Sequence, residues 1–291
     1  MFDYRLLKTL SCVTELGGFE SAARSLHVTQ SAVSQRIKQL EDQVGQLLIV
    51  RSNPVRPTRY GQKLIEHYLR VNLLESNILN ETEIGRMRVP IAVNADSLAT
   101  WFIPAIKELV ASYDIYFDMQ VGDQDITHRA FQQGEVIGCV TSRAKPFQGC
   151  KAVKLGEMRC VAVASKSFIA QYLPEPITPN KVKQAPVLVF DSDDQLIAVY
   201  LDKFYGLKMA DVRYHSIPST EAFILAAKNG MALSVLPEAQ VINELNSGAV
   251  ININQKQFLT IPLYWHCWAM DTTMGKTINN AIVSGAKKYL R

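Results

Sequence analysis

Leu6, Leu7, Leu10, Val13 and Thr14 recur at helical spacing and stop at Gly17-Gly18, a pair suited to ending a helix. Phe19 to Leu26 predicts a short second helix with Ala22, Ala23 and Leu26 inward, closing at His27-Val28. Thr29 opens a third, its hydroxyl placed to accept from the free backbone N–H groups of residues 30 to 32. There Val33, Ile37, Leu40 and Val44 form one narrow apolar stripe that must pack on the first two helices. Two short helices joined by a tight turn, the second one basic, predict a helix-turn-helix. Leu47 to Arg51 followed by Ser52-Asn53-Pro54-Val55-Arg56-Pro57 reads as a strand, a proline-held turn and a return, which is a wing. Thr58 next offers an N-cap, and residues 62 to 84 hold neither Gly nor Pro while Leu64, Tyr68, Val71, Leu74 and Ile78 sustain an apolar stripe. A helix of about 25 residues is close to 40 Å long, too long for a module of this size to cover. Its simplest partner is a second copy; packing on the rest of its own chain is the alternative.

From Val89 the pattern changes to short β-rich runs alternating with helices: Val89 to Asn94, a helix from Ser97 to Ala111, Ile115 to Val121, a helix from Asp125 to Gln133, and Val136 to Thr141. Runs at Cys160 to Ala164, Pro186 to Phe190, Arg213 to Ser216, Ala232 to Leu236 and Ile261 to Trp268 continue it. Alternation of this kind predicts an α/β class with parallel sheets and ligands held beyond the strand C-termini. The expected division is a winged helix-turn-helix over 1–58, a linker and dimerisation helix over 59–88, and an α/β ligand-binding domain of two subdomains over 89–291.

Composition adds exclusions. A chain of 291 residues with 48% hydrophobic and 20% charged positions is outside the disordered regime. Lys8, Thr9, Ser11 and Thr14 break up the first apolar positions, and no apolar run approaches the roughly 18 residues of a membrane span, so a cytoplasmic protein without a membrane partner is expected. Five scattered cysteines without a C-x-x-C pair argue against a disulfide framework or a zinc cage and are read as reduced thiols. Phosphate-loop, dinucleotide, zinc-protease and nucleophile-elbow motifs are missing, and Asp191, Asp193 and Asp194 fail as a calcium loop because Leu196 stands where glycine is needed. No enzyme activity, metal or cofactor is expected. The net charge of +4 is local: between Arg24 and Arg59 six cations face only Glu41 and Asp42. That places a polyanion on the N-terminal module. Its third helix shows Ser31, Gln35 and Lys38 on the face opposite the apolar stripe, with Gln30 and Ser34 at its flank near the N-terminus, side chains able to read base edges in a major groove. Arg51 and Arg56 are the wing cations, and Thr58 completes the DNA-binding candidates.

The run Phe19 to Leu40 (FESAARSLHVTQSAVSQRIKQL), with Glu41, Gly45, Leu47-Leu48, Arg51, Pro57-Thr58 and Gly61, resembles the winged helix-turn-helix of LysR-type transcriptional regulators. Val93 to Trp101, Gly134 to Gly138 and Leu263 to His266 resemble the ArgP/LysG branch of that family. The resemblance implies a periplasmic-binding-protein-like (type 2) effector domain, with subdomain I over about 89–163 and 267–291 and subdomain II over about 164–266. It implies regulation of a basic-amino-acid exporter gene in response to lysine or arginine, and RNA polymerase and an operator DNA duplex as partners. A dimer is expected from the long helix, and a tetramer from the resemblance. A regulator of another metabolite, or an architectural or replication-inhibiting DNA binder with a vestigial pocket, are the alternatives. For a basic amino acid, Ser97 and the free N–H groups at the Asn94-Ala95-Asp96-Ser97 helix start suit the carboxylate, and Thr141 is a second donor. Acids at strand ends and helix starts, Asp96, Asp123, Asp125, Asp191 and Glu221, are candidates to neutralise its cations; Thr100 completes the effector set.

Overall fold

The computed structural model of the chain describes residues 2–50, 52–75, 87–122, 127, 130–131, 135–146, 149–191, 194–269 and 272–291. Arg51, Ile78, Asp123 and Asp125 lie outside the described residues.

The N-terminal module is α1 (Tyr4–Glu15), α2 (Phe19–Ser25), α3 (Gln30–Val44), a two-stranded wing of β1 (Ile49–Val50) and β2 (Arg56–Pro57), and α4 (Arg59–Glu75). Thr29 Oγ1 accepts from Ala32 N–H at 3.2 Å at the start of α3. Leu6, Leu7, Leu10, Val13, Ala22, Val33, Ile37, Leu40 and Leu48 are buried together. Gly61 in the first turn of α4 lies directly on the Leu48 carbonyl, an approach that any Cβ would prevent.

The long apolar stripe is divided. Leu64 and Ile65 are buried in the module's own core and Tyr68 packs against it, whereas Leu74, one turn beyond Arg70, is 49% exposed. The first half of α4 therefore closes the DNA-binding module, and only its later turns are open to a second copy. Part of α4 also meets its own C-terminal half: the Arg70 guanidinium lies 4.6 Å over the Trp268 ring. Arg88 joins the two halves again, pairing with Glu15 of α1 and, at 2.9 Å, with Asp118.

The C-terminal half begins with β3 (Met87–Asn94), two residues earlier than expected. The predicted helix from Ser97 starts at Ala95 and is three pieces: α5 (Ala95–Ser97), a π-helical turn (Leu98–Phe102) and α6 (Ile103–Ser112). Then come β4 (Ile115–Gly122), β5 (Gly138–Thr141), β6 (Cys150–Ala164), α7 (Lys166–Tyr172), α8 (Pro179–Gln184), β7 (Val187–Val189) and α9 (Leu196–Tyr205). The chain continues through β8 (Tyr214–Ser216), α10 (Thr220–Lys228), β9 (Ser234–Pro237), α11 (Glu238–Ser247), β10 (Ile251–Asn252), β11 (Phe258–Trp268) and α12 (Thr273–Tyr289). Among the described residues no helix is long and apolar enough to cross a membrane.

One sheet has the order β10-β6-β11-β5-β3-β4, with β9 also on β6; β7 and β8 form a second, parallel pair. The expectation of parallel sheets holds for β3 with β4 and β5 and for β7 with β8, but β6, β9, β10 and β11 pair antiparallel. The reason is that β6 and β11 are long strands running through both lobes. Tyr264 to Cys267 pair with β5 in lobe one, while Cys160 to Val163 pair with β9 in lobe two. The β6–β11 register breaks between Leu263 and Tyr264, opposite Gly156. The β6–β11 pair thus passes from its lobe-one pairing to its lobe-two pairing near Gly156 and Leu263.

Candidate functional site

Two surfaces carry chemistry. On α3, burial of Val33, Ile37 and Leu40 turns the opposite face outward, so Gln30, Ser31, Ser34, Gln35 and Lys38 are all exposed side by side. Arg56 is exposed on β2 of the wing, with Arg24 of α2 and Arg59 of α4 also exposed. Thr58 stands apart from this set. Its hydroxyl donates to the Leu47 carbonyl at 2.9 Å and accepts from Gly61 N–H at 3.1 Å, so its one proton is committed to holding the wing on α4.

The second surface is a cleft of about 490 Å³ between the lobes. It lies where β3, having β4 on one side and β5 on the other, ends at Asn94, the topological switch point at which open α/β sheets bind ligands. Lobe one contributes Asn94, Ala95, Asp96, Gly122 and Ser142; the crossing strands contribute Met158, Ile261 and Pro262; lobe two contributes Phe190, Asp194, Leu196, Val199, Thr220, Phe223 and Val235. Apolar walls thus enclose two carboxylates, one from each lobe.

The electrostatics of these acids are unusual. Burial pushes the Asp96 carboxyl up to about 7, and the neighbouring Asp194 carboxylate adds to the rise. Burial also raises Asp194, offset by N–H donation from Phe190 at 2.8 Å and Leu196 at 2.9 Å. Those two bonds occupy both oxygens from one side and fix the carboxylate at the start of α9. Asn94 Oδ1 and Ser97 Oγ are buried and meet no hydrogen-bonding partner among the described residues. Leaving such an atom unsatisfied costs about 1–3 kcal/mol, so Asn94, which lines the cleft, suits this end of β3 to a polar guest. Among the described residues no group of three or more His, Cys, Asp or Glu could hold a metal ion.

Comparison with known proteins gives both surfaces a context. Residues 4–62 match the bacterial regulatory helix-turn-helix protein family named lysR, and residues 84–275 match the LysR substrate binding domain. The chain belongs to the lysR family. It is similar to the HTH-type transcriptional regulator ArgP of Aeromonas salmonicida, 37% identical over 99% of this chain and 98% of that one. The crystal structure of ArgP from Mycobacterium tuberculosis superposes with a TM-score of 0.84 at 38% identity, covering 100% of this chain and 99% of that one. Full-length LysG from Corynebacterium glutamicum with bound effector Arg superposes with a TM-score of 0.74 at 31% identity over the whole of both chains. This LysR-family protein is a helix-turn-helix transcriptional regulator with a winged N-terminal domain and a two-lobed effector domain.

Within the regulator's cleft the expected effector residues separate. Asp96 lines the wall. Ser97 is buried behind it, and Thr100 Oγ1 donates to the Asp96 carbonyl at 2.7 Å; neither residue is on the cleft wall. Thr141 is buried in β5, its hydroxyl accepting from Arg143 N–H at 3.3 Å, and the following Ser142 reaches the cleft in its place. Asp191 is not on the wall. Glu221 is exposed at the first turn of α10 and accepts from the Ser219 hydroxyl at 3.0 Å, a helix-start role; its neighbour Thr220 and Phe223 line the cleft instead. The cleft acid absent from the effector candidates is Asp194. Its position two residues before the start of α9 was the available signal.

Proposed function

We propose that this regulator senses L-lysine or L-arginine and, in response, controls a gene for exporting basic amino acids. The observation that carries the reading is the presence of Asp96 and Asp194 on opposite sides of one apolar-walled cleft. A basic amino acid brings two cations, a carboxylate and a methylene chain; in a site of low effective dielectric each unpaired charge costs several kcal/mol. Asp96 and Asp194 take the two cations, the α5 start and Ser142 take the carboxylate, and Val199, Phe223, Val235 and Ile261 cover the chain. The bound Arg of the Corynebacterium glutamicum relative supports this ligand class.

On the DNA side Gln30, Ser31, Ser34 and Gln35 read base edges, Lys38, Arg51 and Arg56 hold phosphates, and the partners are an operator duplex, RNA polymerase and further copies of the chain, as a dimer that assembles into a tetramer on DNA. The protein works in the cytoplasm, without cofactor or catalysis. Calorimetric titration of L-lysine and L-arginine into wild type and Asp194→Asn tests the reading. Loss of one charge partner should weaken binding at least about tenfold, equivalent to about 1.4 kcal/mol, with operator binding in the absence of ligand retained. Equal affinities would refute it.

A further inference from the structure

The two residues after α12 leave the helix in an extended conformation and lie on the hinge between the lobes. Leu290 has φ −93° and ψ 152°. Arg291 N–H donates to the Glu157 carbonyl at 3.2 Å, and Glu157 N–H donates to the Arg291 carbonyl at 2.8 Å, a reciprocal backbone pair. Gly156 makes the room: at φ +143°, a Cβ there would stand 2.7 Å from Leu290 Cβ and 2.9 Å from the Arg291 carbonyl oxygen. Gly156 is opposite Leu263, at the break in the β6–β11 register, and Met158, Ile261 and Pro262 beside it line the effector cleft. The Arg291 guanidinium lies 3.7 Å from the Glu238 carboxylate, which also takes Arg159 Nε at 3.3 Å. Glu238 opens α11 in lobe two, whereas α12 packs on α6 in lobe one. A single short segment therefore touches lobe one, the hinge strand and lobe two.

We propose that Leu290–Arg291 is a positioning strap that fixes the opening of the hinge and so sets the effector affinity of the cleft. The affinity part rests on the effector reading above; the hinge part does not. A strand that changes lobes at a bulge and a glycine of positive φ has several accessible bends. Pinning its amide and carbonyl to a segment rooted in α12 selects one of them. The Arg291–Glu238 pair is exposed on the arginine side and adds little alone, so the backbone pair and Leu290 carry the strap. If the strap is released, the binding-competent opening is a smaller fraction of the ligand-free ensemble and apparent affinity falls in proportion.

The test uses the full chain lacking residues 290 and 291, with Arg291→Ala, which keeps the backbone pair, beside it. Amide hydrogen exchange of the ligand-free proteins should accelerate about tenfold in residues 154–160 and 259–265 of the shortened chain, while α3 and α9 exchange as in wild type. Titration with L-lysine and L-arginine should show affinity about fivefold weaker in the shortened chain and changed by no more than about twofold in Arg291→Ala. Unaltered hinge exchange overturns the proposal, as does a uniform acceleration across both lobes, which is the signature of a merely structural role. Faster hinge exchange with unchanged affinity overturns the link to the cleft. Exchange needs no ligand, so a wild-type protein that bound neither amino acid would refute the effector reading and leave the hinge measurement to decide on the strap.

Discussion

In the proposed reading, Asp96 couples effector binding to a proton. Its carboxyl titrates at about 7 in the folded chain against an ordinary 3.8, so folding disfavours its ionised form. The sign follows from that. The penalty is absent below the ordinary value, grows as pH rises from there to about 7, and is fully present above. Asp96→Asn should therefore leave ligand-free stability unchanged near pH 3 and raise it at pH 8 by about 4 kcal/mol, read from denaturant unfolding. A cationic ligand reverses the preference by pairing with the ionised form. Lysine affinity should strengthen as pH rises from 6 to 7.5 and then level, with about one proton released on binding, measurable by calorimetry at pH 6.5 in two buffers of different ionisation enthalpy. An affinity independent of pH across this range would separate Asp96 from the ligand. Asp96 was legible in the sequence because an acid at a strand-to-helix junction faces the cleft of an open α/β sheet. Asp191 and Glu221 satisfy the same local pattern and are elsewhere, and Asp194 matches no stronger pattern than they do. Which acid of lobe two meets the cleft is decided by how β7 and α9 sit against β6 and β11, a tertiary relation that no local spacing encodes.

At the scale of elements, α3 and α4 make separable commitments. Gln35→Ala should relax base preference at one position per half-site by about 1–3 kcal/mol, whereas Arg56→Ala should weaken all sequences alike and lower the salt slope by about one, both read by operator titrations over a salt series. If both substitutions left affinity and its salt dependence unchanged, α3 and the wing would not be the DNA face. On α4 the division of the stripe determines which positions to probe. Leu64 and Ile65 hold the module together, and replacing them would confuse unfolding with dissociation. Val71, partly exposed, and Leu74 are open to a partner helix. The double variant Val71→Glu, Leu74→Glu should sediment as a monomer and lose operator binding with its fold retained; an intact dimer would contradict the self-pairing of α4. The helices of the N-terminal module were legible because the apolar period is plain in each, with Gly17 closing α1 and the Thr29 cap and Gly45 bounding α3. β6 was read as five residues although it spans fifteen, since Lys151, Lys154 and Glu157 interrupt the apolar run of its first half. The π-helical turn has no marker in the sequence at all.

Among the described residues, the two units of the whole molecule meet at Arg88, which links α1 to β4, at Arg70 on the Trp268 ring and at Leu69, which packs against both cores. β11 ends at that ring and has Ile261 and Pro262 on the cleft wall, so a ligand that moves the lobes moves the strand against which α4 rests. In the proposed reading, charge matched by one carboxylate from each lobe selects the ligand. Titration calorimetry of the wild-type protein with L-lysine, L-arginine and L-norleucine tests it most directly, because norleucine keeps the α-groups and the chain and lacks only the terminal amine. Lysine or arginine should bind with micromolar affinity and norleucine at least about tenfold more weakly, a gap of about 1.4 kcal/mol. Norleucine bound as tightly as lysine would contradict it.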